Sequence, residues 1–187
     1  MHVQPVVDKR YLTEFEIGSA VTGRFGQFAA RRWVVVPNVY WGWGLDYEAD
    51  LIAVSPKSMT AYEIEIKSHL HDLKKDKSKR KFRCMPDPRI AGLWYAVPPE
   101  LVPHALDPEI VAPEHGIIEV IRHENGIGAT RVVRRPKKRR SARKVTQDEL
   151  RKLLHLGTMR YWDLRFSTGN VSHRTLLPKP DPRPEEE

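Results

Sequence analysis

Three charged residues in the first half of the chain have types and spacing that suit joint chemistry. Glu65 and Lys67 lie two positions apart in EIEIKS, so on a strand they project from the same face. Asp50 lies in the preceding segment, EADLIAV, and a hairpin would bring it close to Glu65. Two converging carboxylates suit Mg²⁺ or Mn²⁺, which polarises a phosphoryl oxygen and activates water. The adjacent ammonium would orient that water or stabilise charge developing on a phosphate.

The same residues also have a simpler interpretation. Glu-x-Lys is common on strands, and Glu63, Glu65 and Lys67 would then form the solvated face of a half-exposed strand. For the tripeptide alone this is the more frequent case. The hairpin-related Asp50 and the lysine-rich segment that follows favour the metal site.

The elements that must position these residues follow from the hydrophobic pattern. Thr13 and Glu16 form a capping box at the start of the first predicted helix, and Thr146 and Glu149 form another at the start of the last. Pro37-Asn38 is expected to end the first strand. We predict helices at 13–32, 69–83 and 146–166, strands at 33–36, 47–54, 59–67 and 91–97, and a hairpin pairing 116–121 with 129–133 across Asn125-Gly126.

Composition excludes several classes of protein. The chain has 187 residues, of which 40% are hydrophobic, and a single cysteine, Cys84, so an internal disulfide is impossible. No apolar run approaches the ~20 residues that cross a bilayer, and the N-terminus lacks the apolar segment of a secretory signal. We therefore expect a cytoplasmic protein without membrane contact.

Positive charge indicates a polyanionic partner. Lys and Arg number 32 against 24 Asp and Glu, a net charge of +8, and nucleic acid is the commonest partner of such a surface. Trp41 and Trp43 either cover a core edge or stack on unpaired bases. The cations expected to contact DNA phosphates are Lys74, Lys75, Lys77, Arg80, Arg134, Arg135, Lys137, Lys138, Arg139 and Arg140.

EADLIAV and EIEIKS resemble the metal-binding core of the PD-(D/E)XK nuclease superfamily. The succession HDLKKDKSK, Cys84, GLWYAVPPELVP and EHGIIEV is similar to the MmcB-like, DNA-repair-associated branch, and the resemblance covers about residues 13–133. It implies an α/β restriction-endonuclease-like core, a mixed central sheet flanked by helices in αβββαβ order. The C-terminal hairpin and helix are additions to that core.

The resemblance also implies roles for individual residues. Asp50 and Glu65 match the metal-binding acids, with Mg²⁺ or Mn²⁺ as cofactor, and Lys67 matches the catalytic lysine. Glu16 and Glu63 are accessory candidates. For Glu16 the capping box is the preferred explanation, and for Glu63 a salt bridge to a neighbouring base.

These expectations define four segments and a function. Residues 1–135 form the nuclease-like core, 136–145 a basic linker or arm, 146–177 the C-terminal helix and extension, and 178–187 a disordered tail. We expect a metal-dependent DNA nuclease of repair, processing or mobile-element DNA metabolism. The alternatives are a DNA-binding module with a vestigial centre and a basic protein that binds RNA or an acidic protein. The sequence leaves open whether the protein acts as a monomer or a homodimer.

Overall fold

The computed structural model describes residues 12–75, 87–122 and 128–167, which form one six-stranded sheet with helices on both faces. The strands are β1 (Val34–Val39), β2 (Ala49–Ser55), β3 (Thr60–Ile66), β4 (Ile90–Val97), β5 (Gly116–Arg122) and β6 (Gly128–Arg134). The helices are α1 (Glu14–Thr22), α2 (Leu70–Lys75), α3 (Val102–Leu106) and α4 (Gln147–Ser167). Short 3-10 turns occupy Trp41–Trp43 and Pro99–Leu101.

The sheet is open and mixed, and its strands stand in sequence order from β1 to β6. β1, β2 and β3 form an antiparallel meander, β4 and β5 run parallel to β3, and β6 returns antiparallel to β5. The parallel connections pass through α2 and α3, as parallel neighbours require a crossover. The predicted α/β class with a mixed sheet and the pairing of the late hairpin strands are confirmed.

Helix capping follows the sequence closely, while helix and strand ends do not. Both capping boxes form, at Thr13–Glu16 and at Thr146–Glu149. The prediction that the first helix continues to residue 32 is wrong, because it ends at Thr22 and Gly23 follows as an extended cap. The prediction that Pro37-Asn38 ends the first strand is also wrong, since β1 continues to Val39 as an edge strand, where proline is tolerated.

Three hydrophobic clusters cover the two faces of the sheet. On one face α1 and Phe28 pack against β2 to β5. On the other face α4 covers β1 and β2, and α2 and α3 cover β4 and β5. This second face, which we call the cleft face, therefore has two separate apolar clusters with the second half of β3 between them. The acidic residues of β3 project into that gap.

The basic segment (residues 136–145), which the sequence predicts as a linker or arm, folds back on the sheet. Its buried Val145 joins the cluster beneath α4, and its main chain is bonded along its length. The amides of Lys137, Arg139, Arg143 and Val145 donate to the carbonyls of Glu114, Ala91, Pro88 and Met59, respectively. Its cations are thereby held beside the gap on the cleft face.

Some expectations concern residues outside the described ranges. These are Lys77, Arg80, Cys84, the Asn125-Gly126 turn and the tail 178–187. Among the helices that the structure describes, not one combines the length and apolar character needed to cross a membrane.

Candidate active site

The antiparallel register of β2 and β3 brings Asp50 near Glu65. Leu51 pairs with Ile64, and Asp50 and Glu65 are the next residues along the two strands. Both side chains project onto the cleft face, and Lys67 follows two residues later on the same face. The structure thus brings together the three residues that the sequence singled out.

Lys67 joins the two carboxylates. Its Nζ lies 2.9 Å from Glu65 Oε2 and 3.6 Å from Asp50 Oδ2. The Ile66 backbone amide donates to Asp50 Oδ2 at 2.8 Å. Because these donors fix the position of Asp50, the two acids and the ammonium form one preorganised cluster.

Burial distinguishes the members of this cluster. The Glu65 side chain is fully buried and that of Lys67 is 6% exposed, whereas the side chain of Asp50 is 37% exposed. Buried charges require partners, and here each has one within hydrogen-bond or ion-pair distance. Asp50 therefore forms the solvent-accessible side of the cluster, where a substrate would approach.

The donor set fits a hard divalent cation. Mg²⁺ is usually held by one or two carboxylates together with waters and substrate phosphates. Asp50 and Glu65 would supply two carboxylates of this kind. No group of three or more His, Cys, Asp or Glu residues suited to a metal occurs within residues 12–75, 87–122 and 128–167. A cation here would thus depend on water and phosphate for its remaining ligands.

Glu63 is buried on the same face, two residues before Glu65. Its Oε2 accepts a hydrogen bond of 2.7 Å from the Tyr47 hydroxyl. Burial, followed by the nearby Glu63 carboxylate, raises the pKa of Tyr47, so the phenol stays protonated and donates. The expected salt bridge from Glu63 to a neighbouring base stays a prediction beside this hydrogen bond. The interpretation of Glu63, Glu65 and Lys67 as a solvated face is wrong, because all three are buried.

Glu16 belongs to the helix cap. Its Oε2 accepts from the amide and hydroxyl of Thr13, and its Oε1 pairs with Arg122 Nη2 at 2.9 Å. The preferred capping explanation is confirmed.

A cleft of about 940 Å³ opens beside Glu63. Tyr47 and Glu63 line it, and so does Tyr95, the partner of Glu65 in the β3–β4 register. His115 also lines the cleft, and its burial lowers the pKa of the imidazole. The basic segment contributes Lys137, Lys138, Arg139 and Arg140 to the lining.

The predicted DNA-contacting cations fall into two groups. Two of them hold the fold together: Arg134 donates to the carbonyls of Ala112 and His115, and Arg139 donates to the carbonyl of Asp87. The others that the structure describes are exposed: Lys74 and Lys75 on α2, and Arg135, Lys137, Lys138 and Arg140 at or near the basic segment.

Sequence reasoning missed a buried ionic cluster that holds α4 to the sheet. Arg89 forms a bidentate pair with Asp87, donates to the Trp43 carbonyl and stacks 4.0 Å over the Trp43 ring. Burial favours a raised pKa for the Asp87 carboxyl, but the hydrogen bonds from Arg89 outweigh it and lower the pKa. The sequence offered one sign of this cluster, the Asp87-x-Arg89 pair before an apolar strand. The other partners of Arg89, which are Trp43 and Glu149, lie 46 or more residues away along the chain.

The cleft residues Tyr47, Tyr95 and His115 were also missed. Tyr47 precedes Asp50 by three positions, and Tyr95 lies inside an apolar run, so neither carried a polar pattern. Only the register and the loop before β5 bring them together.

Comparison of the chain with protein-family models, with curated proteins and with solved structures finds no match in any of the three.

Proposed function

We propose that the protein is a metal-dependent nuclease that hydrolyses phosphodiester bonds in DNA. The observation that carries this proposal is the cluster of Asp50, Glu65 and Lys67, in which one ammonium lies 2.9 Å and 3.6 Å from two carboxylates. Two acids that share one lysine, with one acid open to solvent, supply the carboxylates and the cation that a phosphate-processing centre uses.

Each residue has a distinct role in this proposal. Asp50 and Glu65 would hold Mg²⁺ or Mn²⁺, which supplies a Lewis acid and lowers the pKa of bound water. Lys67 would orient the attacking water and stabilise negative charge that develops on the phosphoryl oxygens. The bond from the Ile66 amide keeps Asp50 aimed at the solvent-accessible side.

We further propose that the fold is a restriction-endonuclease-like core, with which the observed strand order is consistent. The acids lie on the second and third strands of an antiparallel meander, and a helix leads to a parallel fourth strand. The sequence resemblance to the PD-(D/E)XK superfamily and its MmcB-like branch assigns the same residues to the same positions.

A non-catalytic DNA-binding module is the second candidate. It is favoured by the tight Lys67–Glu65 pair, which a cation must share or loosen in order to bind. Exposed cations at the basic segment would serve either candidate.

Cleavage of labelled DNA separates the two candidates. Duplex, single-stranded, flap and junction DNA should be incubated with the protein in Mg²⁺, Mn²⁺ or EDTA. We expect cleavage of at least one form with either metal and none with EDTA. Binding without cleavage of every form would establish the non-catalytic module, and cleavage that persists in EDTA would contradict the role given to Asp50 and Glu65.

A further inference from the structure

The cleft extends along β4 from the neighbour of Glu65 to the basic segment. Tyr95 pairs with Glu65, while Ala91 accepts a backbone hydrogen bond from Arg139 in the basic segment. Tyr95 is four positions after Ala91, which is about 13 Å at ~3.3 Å per residue. Tyr95, beside Glu65, and the cations of the basic segment thus line the same cleft.

The lining of this cleft has three kinds of residue. The apolar ones include Ile90, Leu93, Pro108 and Ile110. The buried and half-buried polar residues Tyr47, Glu63 and His115 are called the floor here. The exposed cations Lys137, Lys138 and Arg140, beside the exposed Glu114, are called the rim.

A ligand that matches all three parts has a flat, weakly polar body and an anionic group. Glu63 at the floor disfavours a phosphate there, because the two negative charges would repel each other across a poorly solvated space. Phosphates belong at the cationic rim, and a base with donor groups belongs at the floor. A cleft of about 940 Å³ is also within the ~300–1,000 Å³ range of sites that enclose small organic groups.

We propose that the cleft binds nucleotide units of a single DNA strand, which runs from the carboxylate pair to the basic segment. The bases of a duplex are stacked and paired, so they enter a concave site only after extrusion, whereas an unpaired strand presents them directly. The direction of the strand rests on the proposed function, because it assumes that cleavage takes place at the carboxylate pair. The substrate would then be single-stranded DNA or a single-stranded part of a larger DNA structure.

Equilibrium binding in EDTA tests this without any cleavage. Fluorescence anisotropy should compare a labelled 12-nucleotide single strand with its duplex, using the intact protein. We expect the single strand to bind more tightly. Thymidine monophosphate added as a competitor should displace it only weakly, because one nucleotide lacks the successive phosphates that the rim would contact.

Two variants examine the cleft itself. Ala112→Trp fills the cleft from its half-buried side, and Ala30→Trp on an exposed loop is the matched control. The first should weaken single-strand binding at least about fivefold, the effect of losing one stacked base, and leave duplex binding unchanged. The control should alter neither.

A second pair of variants keeps the test valid if Ala112→Trp does not fold. Lys137→Ala/Lys138→Ala removes two exposed rim cations, and Arg31→Ala/Arg32→Ala removes two exposed cations from the loop before β1. The first should reduce the slope of log affinity against log salt for the single strand by roughly 1.4, from ~0.7 per phosphate contact. The second should leave the slope unchanged.

Tighter duplex binding, equal slopes for the two cation variants, or full displacement by the mononucleotide would each overturn the proposal. Because all these measurements are made without a metal, they fail or succeed separately from the nuclease assay.

Discussion

Replacing Lys67 by methionine should leave two carboxylates facing each other without their shared cation. The variant keeps the length and most of the volume of the side chain, so packing changes little. Asp50 and Glu65 both lie within ion-pair distance of Lys67 Nζ, so the two carboxylates are close to each other. Without the ammonium their mutual repulsion is uncompensated.

The cost can be judged from the burial of the three groups. Removing one partner of a buried ion pair costs about 3–5 kcal/mol, and the 37% exposure of the Asp50 side chain favours the lower end of that range. We therefore expect Lys67→Met to lower the free energy of unfolding by about 3 kcal/mol at neutral pH, from the same estimate. Urea unfolding measures this, with Lys74→Met on the exposed surface of α2 as the control.

Divalent cations should reverse much of the loss. Mn²⁺ that binds only the folded state adds about 2.7 kcal/mol at a concentration of 100 Kd. Without the competing ammonium, the variant should gain more from Mn²⁺ than the wild type gains. A Lys67→Met protein as stable as the wild type, or one that Mn²⁺ does not stabilise, would refute the reasoning.

Three further predictions concern the surrounding fold. Arg89→Met should lower the free energy of unfolding by about 3–5 kcal/mol, because Asp87 then loses its buried bidentate partner. Chemical denaturation measures this, and a decrease of less than about 1 kcal/mol would contradict it. The Arg143 hydrogen bond is the main cause that lowers the pKa of Glu149 from 4.5 to about 2. The stabilisation of the fold by ionised Glu149 is therefore complete above pH 4.5 and is lost as the pH falls toward 2. Glu149→Gln should make the free energy of unfolding less dependent on pH over that range, and an unchanged dependence would contradict the assignment. Gly116→Ala should lower the free energy of unfolding by about 1–3 kcal/mol, because the new methyl group would press on the Trp94 ring and lie 2.8 Å from Pro136 Cδ. Thermal unfolding measures this. Gly44→Ala, at a site with open space but a positive φ, is the comparison that separates crowding from backbone strain.

The residues of the site could be predicted from the sequence because they are local to two adjacent strands. Glu65 and Lys67 share a face by the two-residue period, and the short turn at 56–59 fixes the register that brings in Asp50. Both capping boxes could be predicted for the same reason, since each is formed within four residues.

What the sequence did not reveal depends on distant segments. The alternation of β3 indicated one solvated face, yet Glu63 and Glu65 are buried because neighbouring elements cover both faces of the sheet. The run of lysines and arginines indicated an arm, but its backbone bonds to β4 and to the loop before β5 depend on long-range contacts.

The last helix shows the same limit within one element. Leu150, Leu153, Leu154 and Tyr161 recur at helical spacing, which predicts one apolar face. Leu150 and Leu153 pack against the sheet, whereas Leu154 and Tyr161 are exposed. The apolar residues of α4 that join the cluster beneath it, Leu150, Leu153 and Leu156, lie in its first half, so periodicity alone overestimated the buried length.

The most direct test of the central claim is the single-turnover cleavage rate of Glu65→Gln in Mn²⁺, on the DNA form that the wild type cuts fastest. Glu119→Gln is the matched control, because Glu119 is also a buried strand glutamate, lies on β5 two strands from Glu65 and pairs with Arg131. We expect Glu65→Gln to lose more than about 100-fold in rate, since even outer partners of metal ligands contribute 10–100-fold. The control should cleave at the wild-type rate. Equal rates for Glu65→Gln and the wild type would contradict the claim that this carboxylate holds the catalytic metal.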